Sequence, residues 1–134
     1  MLLALHNAVT WALVGLIWTI QVVHYPLFDA ADRDGFIAFH ERHARRITLL
    51  VGLLMPVEAL FAVWLAFTRP SIVTWTGVAL VALIWLATAL LAVPRHAELA
   101  EGWNEAAHRR LVRTNWIRTL AWTARGALAL VLLV

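Results

Sequence analysis

Four apolar runs, each about as long as a hydrocarbon core is thick, take up most of this chain: about Leu2 to Val22, Ile47 to Phe67, Ile72 to Val93 and Thr114 to Val134. Lipid offers no water to satisfy backbone N–H and C=O groups, so a run that crosses it has to be a helix. Little chain is left between the runs. The expected fold is therefore all-α, an antiparallel four-helix transmembrane bundle forming one domain over 1–134, with helices in up-down order. A mean hydropathy of +0.78 and 63% hydrophobic residues exclude an ordinary soluble domain. The first run has neither a basic leading segment nor a small-residue cleavage site, so it is expected to be a retained helix rather than a signal peptide.

Charge placement sets the expected orientation. The chain has eleven Arg, no Lys and eight acids, a net charge of +3. Arg33, Arg42, Arg45 and Arg46 lie between the first and second runs, and Arg95, Arg109, Arg110 and Arg113 between the third and fourth. The turn between the second and third carries only Arg69. By the positive-inside rule both Arg-rich segments face the cytoplasm, which puts both termini outside, in what is expected to be a bacterial inner (cytoplasmic) membrane. These segments also carry Asp32, Asp34, Glu41, Glu98, Glu101 and Glu105, so they are explained by topology and not by nucleic-acid binding.

Several residues punctuate the runs. "FIAFHERHARRI" from Phe36 has no helix breaker and follows Asp34-Gly35, so helix 2 is expected to begin in the cytoplasm. Helix 4 is expected to start near Asn104, after a turn at Glu101-Gly102. Pro94 should end or kink helix 3, Pro56 should bend helix 2 just before Glu58, and Pro26 should stop helix 1.

Polar residues inside apolar runs are the informative exceptions. Glu58 and Arg125 are each twelfth from the Arg-rich end of their runs, so both lie roughly 17 Å deep. An isolated charge at that depth costs at least ~3 kcal/mol. They are expected to face each other, either as an ion pair that fixes helix register or as a catalytic, proton-handling pair. A second group collects at the Arg-rich end: His24 closing helix 1, His40 and His43 in "HERH" on helix 2, His96 after helix 3, and Asn115 and Arg118 on helix 4. Gln21 shares a face with His24, in a stripe that runs back through Ile17, Leu13 and Thr10 to His6. His6 itself is expected near the outer end, about 25 Å from the other histidines, and His108, in a charged run, is expected to be solvated.

Imidazole is the commonest metal ligand, and three helices supplying it at one depth can close on a single ion. The absence of cysteine means that any metal is held by nitrogen and oxygen. His24, His40, His43 and His96 are the candidate ligands, with copper or iron favoured for an oxidative role and zinc as the third choice. The alternative is that these side chains simply favour a wet, anionic interface.

"VPRHAELAEGW" followed by "NWIRT" resembles the anthrone oxygenase-like family of small four-helix membrane proteins over roughly the last 45 residues. Pro94 and Leu99 fit that family's Pro-x-Asn-x-x-Leu pattern, His96 stands in place of the Asn, and Trp103, Trp116 and Arg118 fit later positions. A second stretch, "LALHNAVTW" with "VVHYPLF", is similar to the first helix of the haem-binding membrane protoporphyrinogen oxidases, which would make His6 an axial-ligand position. The Lys on which that family relies has no counterpart here.

The first resemblance and the histidines together imply a membrane-embedded, metal-dependent oxidoreductase or oxygenase-like protein acting on a small apolar substrate from the bilayer. In that picture Gln21 and Asn115 help to bind the cofactor, and Glu58, Arg118 and Arg125 do catalytic work. One alternative is a haem-binding protein. The other is a small transporter or accessory subunit, possible as a homo-oligomer, built around the Glu58–Arg125 pair.

Overall fold

A computed structural model of the chain describes residues 1–133, so Val134, the last residue of the fourth apolar run, lies outside the described residues. Four helices account for nearly all of it: α1 over Leu2–Ala30, α2 over Phe36–Thr68, α3 over Ile72–Ala100 and α4 over Glu105–Val131. Among the described residues there is no strand. The expected all-α four-helix bundle is the fold observed.

The ends follow local chemistry. Gly35 opens α2. Ser71 and Thr74 form a reciprocal cap on α3, Ser71 Oγ accepting from the Thr74 N–H at 3.2 Å and Thr74 Oγ1 from the Ser71 N–H at 3.0 Å. Asn104 caps α4 by accepting from the Ala107 N–H at 3.0 Å. The α3–α4 turn passes through Gly102 at φ 143°, a backbone conformation open to glycine.

The helices α1, α2 and α3 are each long and apolar enough to cross a membrane. The fourth is less apolar on average than the sequence expectation of four equal spans, because it carries Asn115, Arg118 and Arg125, and all three are buried in the bundle. Large apolar side chains such as Leu49, Leu53, Leu60, Leu90 and Leu120 point outward, as they should in a protein solvated by lipid. With 33 residues α2 is about 50 Å long, against a hydrocarbon core of about 30 Å. Its excess lies at the Arg-rich end. The helix runs unbroken through Pro56.

Proline acts differently in α1 and α3. Tyr25 donates its backbone N–H to the Ile20 carbonyl at 2.9 Å and Val93 donates to the Thr88 carbonyl, in each case one residue beyond the α-helical partner. These are π-helical turns, over Ile20–His24 and Thr88–Ala92. Each ends just before a proline, Pro26 or Pro94, which has no N–H and clashes with the carbonyl four residues back. The helices therefore widen and continue instead of stopping: α1 runs on as a 3-10 segment over Pro26–Ala30, and α3 as an α-helix over Val93–Ala100. His24 closes one widened turn, Tyr25 follows it and His96 follows the other, and such turns are frequent at functional sites.

Around the bundle α4 packs chiefly against α1 and α3, and α2 against α1 and α3. The diagonal between α2 and α4 is bridged by polar side chains, described next.

Candidate functional site

The first site is a nest of imidazoles at the Arg-rich end. His24 Nε2 and His43 Nδ1 are 2.5 Å apart, and His40 Nε2 and His96 Nδ1 are 3.0 Å apart. The His43 and His96 rings stack with centroids 5.6 Å apart. The four candidate ligands predicted from the sequence thus converge from α1, α2 and α3. On α2 the i, i+3 spacing of His40 and His43 turns both inward, and both are buried. The aromatic ring of Phe28, fully buried, forms one wall, 5.0 Å from the His43 centroid, 5.4 Å from His24 and 6.0 Å from His40.

Tyr25 joins this nest, and the sequence did not nominate it. Its hydroxyl lies 2.9 Å from His96 Nε2, so both His96 nitrogens are engaged. His40 Nδ1 and His43 Nε2, by contrast, are buried and have no hydrogen-bond partner. Buried polar atoms in native proteins are rarely left so, and each one calls for a partner. As they stand the rings pair with one another, and among the described residues no three His, Asp or Glu side chains surround a single point as one ion requires. Two nitrogens on a common tetrahedral ion with ordinary bond lengths would sit about 3.4 Å apart. The observed pairs are closer by less than an ångström.

His108 is a correction. Expected to be solvated among Arg109 and Arg110, it is buried, and its Nε2 meets the Tyr25 carbonyl oxygen at 2.8 Å. The helical period puts it on the inner face with Leu111 and Asn115, while its charged neighbours point away.

Gln21 and Asn115, read as cofactor-binding positions, bind each other. Asn115 Nδ2 donates to Gln21 Oε1 at 2.8 Å, and Gln21 Nε2 donates to the Val112 carbonyl at 3.2 Å, which ties α1 to α4. Arg118 donates to Asn115 Oδ1 at 3.1 Å, and its guanidinium carbon stands 5.4 Å from the Trp122 ring centroid. Its Nε is buried without a partner.

The second site lies deeper, where Glu58 and Arg125 meet as the sequence predicts. Arg125 Nε is 3.6 Å from Glu58 Oε1, and both residues are 1% exposed. The hydrogen bond to the carboxylate comes from Trp122, whose Nε1–H donates to Oε2 at 2.9 Å. Arg125 Nη2 instead donates to His6 Nε2 at 2.7 Å. A guanidinium can only donate, so Nε2 of His6 accepts and its ring proton sits on Nδ1. His6, expected only as a residue near the outer end away from the other histidines, is fully buried and belongs to the charge cluster. Gly77 completes the site, since a Cβ placed there would lie 2.9 Å from Arg125 Nη1.

A polar seam extends from the Glu58–Arg125 site toward the Arg-rich end. It runs from Gln21 and Asn115 through Arg118, Trp122 and Glu58 to Arg125 and His6, down the inner face of α4.

A lateral groove of about 510 Å³ opens between α1 and α2 and reaches His24 and His43. It connects the imidazole nest to the lipid-facing surface. Compared with known protein families, curated proteins and solved structures, the chain matches none, and the chemistry of its sites is argued from their geometry.

Proposed function

We propose that this membrane protein binds one transition-metal ion in its imidazole nest and acts as an oxidoreductase on a small apolar substrate that arrives from the bilayer. The observation that carries this is the convergence of four imidazoles from three helices, joined nitrogen to nitrogen as His24 Nε2–His43 Nδ1 and His40 Nε2–His96 Nδ1. Each neutral pair is held by one shared proton, and an ion between the rings can accept a lone pair from every one of them. Binding requires the paired rings to part slightly.

Copper or iron fits an all-imidazole set that serves redox chemistry, with zinc as a structural alternative. Bound there, the metal would supply electron transfer to or from the substrate. The chain's own residues hold and orient: Tyr25 fixes the His96 ring through its hydroxyl, and Phe28 excludes water from one side. Arg118, reaching in from α4, supplies positive charge beside the Tyr25 hydroxyl. Glu58 and Arg125 lie about 22 Å from His43 along the helix axis, too far to touch the ion, and set the internal field from deeper in the bundle. The Arg-rich end, with the nest, faces the cytoplasm by the positive-inside rule.

Supplying each metal in turn to purified protein in detergent tests this. Elemental analysis is expected to find one ion per chain, lost in the His40→Ala/His43→Ala double variant. A Soret band after haem supplementation would favour the haem reading instead. Against that reading, His6 Nε2 is already engaged by Arg125. Altered proton or solute flux in liposomes on Glu58→Gln, without metal dependence, would favour a transporter.

A further inference from the structure

The groove between α1 and α2 has two chemically distinct parts. Its walls are apolar, with Leu16 and Ile20 from α1 facing Ile47 and Leu50 from α2. Its floor reaches His24 and His43. On α2, Arg42 and Arg46 also line it, one helical turn apart and so on one face. Both arginines are exposed, neither is in an ion pair among the described residues, and no acidic residue lines the groove. An apolar slot that opens toward lipid therefore ends under two uncompensated guanidinium groups.

From this juxtaposition we infer that the groove binds a single-chain amphiphile with an anionic head, a long-chain fatty acid, its alkyl chain between α1 and α2 and its carboxylate on Arg42 and Arg46. Guanidinium matches a carboxylate with paired, charge-assisted hydrogen bonds. Long arginine side chains at the membrane surface hold their heads at the polar level while their stems cover apolar surface, which sets the depth at which the carboxylate is met. Size favours one chain. The cavity of about 510 Å³ falls within the range of small-ligand sites, about 300–1,000 Å³, and the two chains and glycerol head of a phospholipid exceed it. Naming this amphiphile as the substrate rests on the oxidoreductase reading of the imidazole nest. Its binding does not.

Electron paramagnetic resonance of a spin-labelled long-chain fatty acid tests it, with the full chain in phosphatidylcholine nanodiscs at mildly alkaline pH. A saturable, motionally restricted component is expected, with affinity roughly tenfold above that of the methyl ester of the same chain, the difference made by hydrogen bonds to a charged group. Arg42→Gln/Arg46→Gln should abolish that preference. Val23→Trp, at an exposed position on the groove wall, should remove the restricted component while helical content is kept. Equal binding of acid and ester overturns the inference, as does equal competition by a spin-labelled diacyl phosphatidylglycerol. Chelator-treated protein should bind the probe unchanged. Fatty-acid binding without metal binding would overturn the metal reading alone, and metal binding without fatty-acid binding would overturn the groove alone.

Discussion

Glu58 and Arg125 stand 3.6 Å apart in the middle of the bundle, yet neither makes its hydrogen bond to the other. The carboxylate takes the Trp122 indole N–H and the guanidinium donates to His6. The pair is thus held at a distance by two other residues, and its charges compensate each other across the diagonal between α2 and α4.

Removing one charge should therefore cost far more than removing both. Arg125→Leu is expected to destabilise the protein by about 3–5 kcal/mol, because a buried carboxylate is left uncompensated, and Glu58→Leu added to it should recover much of that loss. Unfolding of the single and double variants in mixed micelles measures the coupling. Additive losses would show that the charges act independently.

Gly77 predicts a second asymmetry. Gly77→Ala puts a methyl group 2.9 Å from Arg125 Nη1, so the guanidinium must shift away from its place beside His6 and Glu58, at a cost of about 1–3 kcal/mol. Gly52→Ala meets nothing within 4 Å and should be neutral or stabilise by about 0.5–1 kcal/mol. Thermal midpoints of the two variants check this. Equal behaviour would argue against tight packing of Arg125.

The widened turns yield a third. With Pro94→Ala the turn before His96 can close to an ordinary α-helical one, which would rotate the segment beyond it by about 100° relative to α3. Metal binding should fall sharply while far-UV circular dichroism is unchanged. Full binding by this variant would show that the π turn does not place His96.

Much of this arrangement is legible in the chain itself. Equal depth in two apolar runs pairs Glu58 with Arg125, and helix-end histidines identify the nest, because lipid leaves polar side chains few places to go. The inner stripe from Gln21 to His6 also carries the signal that His6 is buried, but a depth count along the helix axis hides it, since the long Arg125 side chain spans the remaining gap. Tyr25, four residues after Gln21, shares the inner face by the ordinary helical period, but its aromatic body does not stand out from the apolar residues around it. His108 was masked by its charged neighbours. Nothing in spacing alone shows that the rings pair nitrogen to nitrogen, which depends on side-chain rotation.

The most direct test of the central claim is X-ray absorption on purified protein loaded with copper or iron, read alongside its metal content. One ion per chain with a nitrogen-dominated imidazole environment, lost in His40→Ala/His43→Ala, is the predicted result. A folded protein that takes up no transition metal, or one whose spectrum survives the double substitution unchanged, would contradict it.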